Sequence, residues 1–433
     1  MSRSSSSAAA QVTTSASPAA GQTMATVTPS PLPVAAVPSA NRSDTPRQLR
    51  RLTTAVIVAG IAFGLTGLAT FVLLTSSLQR AEASSAQLIR VQEIQTNLLR
   101  ADANATNAFL VGGLEPAEQR SAYDGAVTES SRLIAAASDA EPADQAALSA
   151  LNTELLAYTE NIDLARANNR QGFPVGAQYL RTASGGLRAD ALPILDNLVQ
   201  ANAERAASQM NAKIAWMFAV VGLLLLGGLV WVQIWLARRF KRRFNVGLVL
   251  ATTVGALTLI ASLVALGWTA ATVGNIRTGS FADVRAAATA RIDGNDAKSN
   301  ESLTLIARGS GGAFEEAWQI SAADVETSIG RFRDLKSSSW QPYVDVHTQI
   351  RDLDDGGQWD KAVELATTTS NETFNSFDET TAGLVSSASS ATTEGLGNTI
   401  PWLVAGALVS VVAGIVMAVL APRGVGQRLK EYR

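Results

Sequence analysis

The chain has 433 residues, with 35 Lys and Arg against 37 Asp and Glu, a formal net charge of −2, one histidine and no cysteine. That length leaves room for two or three domains. Without cysteine there are no disulfides, no thiolate chemistry and no cysteine metal sites.

The near-neutral balance hides a strong local pattern. Four blocks, 53–75, 214–235, 246–270 and 400–420, contain no Asp, Glu, Lys, Arg or His. Each has about the 20 residues a helix needs to cross a bilayer. Ahead of them, residues 1–50 open as Ser, Ala, Thr and Pro. That composition buries too little to offset chain entropy and predicts a disordered cytoplasmic tail. The first block, a transmembrane helix over 51–75, is followed by Ala81-Glu82-Ala83, which looks like a small-residue cleavage site. Its apolar core and its lead of about fifty residues are too long for a secretory signal peptide, so it reads as an uncleaved anchor.

Residues 76–213 carry apolar side chains three and four apart. Leu148, Leu151, Leu155, Tyr158, Ile162 and Ala165 form one such seam. Tyr123, Val127, Ser130 and Ile134 form a shorter one, and Leu180, Ser184, Leu187, Ala191, Ile194 and Leu198 another. The opening helix shows Leu88, Val91, Leu98, Ala105 and Phe109 on one face. These are bundle seams. Breaks fall at Gly112-Gly113 with Pro116, at Glu141-Pro142 and at Gly172-Phe173-Pro174. Gln95 and Asp102 lie on the opening seam. They read either as polar residues that set register or as the lining of a pocket for a small solute.

The second transmembrane helix, 214–237, leads into a basic hairpin, 238–245, with five cations in six positions: Arg238, Arg239, Lys241, Arg242 and Arg243. Each would cost about 2.5–3.5 kcal/mol near the bilayer centre. The third transmembrane helix, 246–270, returns. Arg47, Arg50 and Arg51 precede the first span, and Arg423, Arg428, Lys430 and Arg433 follow the fourth, 400–421, as a basic tail over 422–433. All three clusters fall on one side if all four blocks span, so both termini and the hairpin are expected in the cytoplasm. The hairpin's charge is accounted for by topology and anionic lipid, with partner docking as a further reading.

Residues 271–399 repeat the plan. A rise from 271 to about 308 is followed by Val325, Ile329 and Phe332 on a second helix. Tyr343, Val346, Ile350 and Leu353 mark a third, and Phe374, Phe377, Thr381 and Leu384 a descending fourth. Breaks are expected at 309–312, 337–342 and 354–357. Asn104-Ala-Thr-Asn-Ala-Phe-Leu-Val-Gly-Gly113 lies on Asn300-Glu-Ser-Leu-Thr-Leu-Ile-Ala-Arg-Gly309. Gly172, Ala177, Leu180 and Leu192 match Gly357, Ala362, Leu365 and Phe377 at identical spacing. The expected fold is an all-α membrane protein. Its four transmembrane helices carry two extracytoplasmic up-down four-helix bundles, 76–213 and 271–399, related by tandem duplication.

No catalytic constellation, cofactor motif or metal-ligand spacing is present, so neither an enzyme nor a cofactor is expected. His347 sits beside an apolar seam and is expected to face solvent or cap a helix. Gly60-Ile-Ala-Phe-Gly64 is a close-packing motif, and Gly227-Gly228 and Gly406 offer similar small surfaces. The spans lack the mid-membrane ionisable residues of carriers. What remains is a layout suited to passing helix shifts across a membrane.

Each half resembles the four-helix-bundle sensor domain of bacterial chemoreceptors and histidine kinases. The likeness lies in the span–bundle–span layout and in Gly357-Gln-Trp-Asp-Lys-Ala362 leading into the last helix. The doubled, four-span form resembles the GlnX family of actinobacterial membrane signalling proteins. That resemblance implies a plasma-membrane transducer relaying an amino-acid signal from a solute-binding lipoprotein outside to a Ser/Thr kinase inside, with membrane lipids as its other partner and no nucleic acid. The alternatives are direct binding of a small ligand in a bundle, or a structural or transporter-associated envelope protein. The sequence leaves the oligomeric state open.

Overall fold

The computed structural model describes residues 44–111, 115–172, 174–210, 215–240 and 245–429. The chain divides into two units, 1–48 and 49–433, and the helical body belongs to the second. The tail expected to be disordered lies almost wholly outside the described residues, as do Lys241, Arg242 and Arg243.

Every regular element among the described residues is helical. The first half of the chain runs α1 (Asp44–Val111), α2 (Ala117–Ala140), α3 (Gln145–Arg170), α4 (Val175–Gly186), α5 (Leu192–Gln209) and α6 (Ala215–Phe240). The second runs α7 (Val246–Thr278), α8 (Ser280–Ile306), α9 (Gly312–Ile329), α10 (Gln341–Asp355), α11 (Trp359–Thr367), α12 (Thr369–Gly397) and α13 (Ile400–Leu429). Four stretches are long and apolar enough to cross a membrane: Arg47–Val111, Trp216–Arg238, Val246–Ile306 and Trp359–Arg423. They make the chain compatible with a multi-pass membrane protein.

The seams bury as their spacing requires. Leu148, Leu151, Leu155, Tyr158, Ile162 and Ala165 of α3 are all buried. They close on side chains of α1, α2, α4 and α5 in one apolar core. Trp318, Val325, Trp340, Tyr343, Phe374 and Phe377 form a core of the second half. Each such side chain withdrawn from water contributes about 1.5–3 kcal/mol.

Helix ends follow local chemistry. Gly172, Gly309 and Gly357 take φ of +71°, +79° and +71°, the left-handed region that glycine enters without a Cβ penalty. The break expected at 337–342 lies instead at 330–334. A five-residue π turn, Lys336–Trp340, runs straight into α10, whose first turn holds Pro342. A second π turn, Leu187–Ala191, stands before Pro193 in the same way. Proline has no N–H to donate and its ring crowds the carbonyl four residues back, so the wider turn lets the helix pass it unbroken. The rise expected over 271–308 is interrupted at Gly279, which separates α7 from α8.

The apolar helices pack through small residues, because between helices in lipid there is no hydrophobic driving force to gain. A Cβ on Gly414 would lie 2.6 Å from the Gly64 Cα, and one on Gly60 2.7 Å from the Ala418 amide nitrogen. The Gly60–Gly64 motif is therefore a crossing of α1 with α13. Gly406 faces Phe71, whereas Gly227 and Gly228 face open space. Gly222 meets Leu259 and Gly255 meets Met417. That register sets the exposed Trp216, Trp268 and Trp402 at one end of the apolar band, where indole rings favour an interface.

Gly414→Leu is expected to destabilise the chain by at least about 1–3 kcal/mol through overpacking. Gly227→Leu is expected to be silent. Thermal unfolding of both variants in one detergent checks the pair.

Candidate functional site

Two helices do not follow the one-sided pattern. Between 101 and 108 of α1 every residue except Asn104 is buried, and between 294 and 305 of α8 every residue except Asp296. These stretches include Asp102, Thr106, Asn107, Lys298, Ser299, Asn300 and Glu301. Helices enclosed on every side must pair their polar groups with one another, and that pairing joins the two halves of the chain.

Asp102 is fully buried. Its Oδ1 accepts from Ser184 Oγ at 2.6 Å and Tyr158 OH at 3.4 Å, and its Oδ2 from Arg188 Nη1 at 3.0 Å. Ser299 Oγ, from the second half, donates to Oδ2 at 2.6 Å. Arg188 continues to Asp296 at 2.7 Å, whose Oδ2 accepts from Asn300 and Ser321. Burial pulls the Arg188 pKa down, and the Asp102 and Asp296 carboxylates outweigh it, so the guanidinium is held more firmly charged than usual.

A second crossing centres on Asp378 of α12. It accepts from Arg291 at 2.7 and 3.0 Å, Asn295 at 3.2 Å and Arg100 of α1 at 2.8 Å. Burial opposes its ionisation, but the Arg291 and Arg100 charges hold its carboxyl below the usual range. Beside it opens a cleft of ≈ 960 Å³ between α1, α2, α8 and α12, lined by amides such as Asn97, Asn104, Asn371 and Asn375.

The sole histidine is not at the surface. His347 is 2 % exposed, stacked on Trp318 with centroids 3.5 Å apart. Its Nδ1 lies 3.0 Å from Glu301 and its Nε2 3.3 Å from Glu315. The expectation that it faces solvent or caps a helix is thus corrected: the carboxylates at its two nitrogens make the buried ring tolerable. Glu301 also takes Lys298 Nζ at 2.7 Å and Ser370 Oγ at 2.7 Å. Burial would raise its pKa, but Lys298 and His347 bring it down to about 2. Burial likewise disfavours the His347 imidazolium. The hydrogen bond to Glu301 and the nearby Glu315 carboxylate outweigh that and raise its pKa above the ordinary 6.5.

The sequence-derived site residues separate. Gln95 donates to Asp196 Oδ1 at 2.9 Å, whereas Asp102 is the hub shared by Ser184, Arg188 and Ser299. Arg238 is exposed near the end of α6. Arg239 lies in the same helix with its side chain outside the described residues. Arg188 and Asp378 carry no spacing signal, because their charged partners come from other helices, whereas Lys298 and Glu301 pair three residues apart within α8. No group of three or more His, Asp or Glu poised for a metal occurs among the described residues.

Residues 77–211 match the family model of the actinobacterial sensor domain. The match covers the distal part of α1 through α5 and supports a sensing or signalling role. No curated protein and no solved structure matches the chain.

Asp102→Ala is expected to cost about 3–5 kcal/mol, since it removes one partner of a buried ion pair and the acceptor of Ser184 and Ser299. Gln95→Leu is expected to cost only about 1 kcal/mol. Parallel denaturation of the two variants checks the difference. A raised histidine pKa stabilises the fold fully below the unfolded value and ceases to do so as pH rises through the folded value. Asp293, pushed up to about 7 chiefly by burial, also loses its contribution as pH rises, but that loss is largely complete by neutrality. Above pH 7 the melting temperature is therefore expected to fall with pH, and His347→Gln to flatten that limb.

Proposed function

We propose that the chain is a non-enzymatic transmembrane signal transducer of the plasma membrane. In this reading 76–213 and 271–399 are extracytoplasmic up-down four-helix bundles, and the termini and the 238–245 hairpin are cytoplasmic. The bundles respond to an amino-acid signal presented by a solute-binding lipoprotein, and the response passes to a cytoplasmic Ser/Thr kinase. The observation that carries it is α1: 68 residues without a break, roughly 100 Å at 1.5 Å per residue. The helix enters the sensor domain directly from an apolar span. A shift of one or two ångströms at its far end has no joint in which to dissipate. The orientation rests on the three basic clusters flanking the spans.

Tandem duplication of span–bundle–span is part of the proposal. Both halves have a helix rising from an odd-numbered span and one descending to an even-numbered span. The buried serines also correspond. Ser184 donates to Asp102, and Ser370 lies 2.7 Å from Lys298 Nζ. Asp102 and Lys298 stand in the same register as Asn104 and Asn300. The spacing match of Leu180 and Leu192 with Leu365 and Phe377 is one residue off in burial. Leu180 and Phe377 are buried, while Leu365 and Leu192 are only partly so.

A photo-crosslinker placed at Arg238 is expected to capture a cytoplasmic kinase. Deletion of the chain is expected to change phosphorylation of that kinase's substrates with solute uptake unaltered. Altered uptake with unchanged phosphorylation would instead identify a transporter subunit.

A further inference from the structure

The end of the first inter-span segment farthest from the apolar band holds a cavity of ≈ 220 Å³. It lies between the last turns of α1 and α3 and the first turns of α2 and α4. Its wall divides by chemistry. Ala105, Ala108, Phe109, Ile162, Ala165 and Leu180 supply an apolar side. Arg120, Arg166 and Arg170 face it with a single carboxylate, Glu115, among them.

Arg166 is the fixed member. Its side chain is 11 % exposed, and its Nη2 lies 2.9 Å from Glu115 Oε1. Its guanidinium carbon sits 3.9 Å from the centroid of the Tyr123 ring. Its Nη1 is buried and has no hydrogen-bond partner among the described residues. The Asp163 carboxylate is 3.8 Å from that nitrogen and itself exposed, beyond hydrogen-bonding reach. A buried charged donor left unmade is costly and points to a missing acceptor. Arg120 leans outward to Asp124 at 2.9 Å, and Arg170 is exposed at the rim.

We propose that this cavity binds a small organic carboxylate. The carboxyl group pairs with the guanidinium of Arg166, and the apolar body lies against Phe109 and Ile162. A planar guanidinium suits a carboxylate or a phosphate equally. The apolar side decides for an organic acid, since an inorganic anion would be left facing methyl groups and a ring. A dry cavity of roughly 150 Å³ takes up benzene, so the space here admits a ring or short chain bearing one carboxyl group. The inference adds direct binding in the bundle to presentation by a lipoprotein and rests on the sensing reading for its consequence, because Phe109 belongs to the same unbroken helix that enters the first span.

The full chain in lipid nanodiscs is titrated by calorimetry with benzoate, hexanoate and inorganic phosphate. At least one of the two organic acids is expected to bind saturably, and phosphate is not. Arg166→Gln is expected to weaken binding at least tenfold. Ala108→Leu, which fills the cavity and leaves the guanidinium in place, should do the same, and Arg132→Gln on the outer surface should leave it unchanged. Circular dichroism confirms that each variant is folded. Absence of saturable binding by either acid, equal binding of phosphate, or undiminished binding by both cavity variants overturns the proposal. Acid binding in a chain whose deletion leaves kinase signalling untouched upholds the site and refutes the relay. Kinase signalling without acid binding does the reverse.

Discussion

The structure depends on how charge is buried between α1 and α8. Asp102, Lys298 and Glu301 are each 3 % exposed or less, and isolated ions in such surroundings would cost several kcal/mol apiece. They are tolerable because each is paired and hydrogen-bonded. Buried pairs add little net stability over apolar residues, but losing one partner is expensive. Their effect here is on register. If α8 slid by one residue along α1, Ser299 would leave Asp102, and Arg188 would lose its bridge from Asp102 to Asp296. Arg100, reaching from α1 to Asp378, would be stranded by the same movement.

That constraint explains which parts of the fold were legible in the sequence. Helices with one buried face display a period, so the α3 seam and the turns at Pro142, Gly172 and Gly357 could be read directly. The polar and apolar residues of α8 alternate around its whole circumference, because every side of it has a partner. A helix of this kind gives no periodic signal, and its polar residues resemble a solvated face. His347 was obscure for the same reason, since its neighbours Glu301, Glu315 and Trp318 come from two other helices. Gln95 and Asp102 stood out because they interrupted an otherwise apolar seam. The sequence could show the interruption, while Arg188 and Ser299, which answer it, lie far along the chain. The cavity beside Arg166 could not be foreseen either, since the two ends of α1 and α3 meet only in space.

Two packing regimes meet along α1 without a joint. Along the apolar band the helices approach through Gly60, Gly64 and Gly414, where close backbone contact replaces the hydrophobic effect. Beyond it, ordinary side-chain burial takes over. One core nonetheless runs through both, from Leu49 and Phe63 to Leu78, Ala206, Ile276 and Leu396. Well-packed interiors shift between discrete arrangements and do not deform smoothly. The continuous core joins the α1–α8 contact to the glycine crossing of α1 with α13.

The charges on the two central helices also bear on why the halves differ. In the proposed duplication, Asp102 and Lys298 occupy the same position, each beside a buried serine on the descending helix. Had both remained acidic, a second carboxylate would lie one residue from the Ser299 that Asp102 holds, and like charges in an enclosed interior repel strongly. Replacing one acid by a base removes the repulsion and leaves each half fitted to the other and unfitted to a second copy of itself. Once paired in this way, the halves need not keep the same interior. The second has filled its core with Trp318, Trp340, Tyr343, Phe374 and Phe377, whose rings meet tilted or edge-on. Each half nonetheless keeps a space at its tip, ≈ 220 Å³ beside Arg166 in the first, which matches the sensor domain, and ≈ 500 Å³ beside Arg308, Arg351 and Trp359 in the second. The halves therefore differ in what lines these spaces: apolar side chains with three arginines in the first, glycines with Arg308, Arg351, Asp354 and Asp355 in the second.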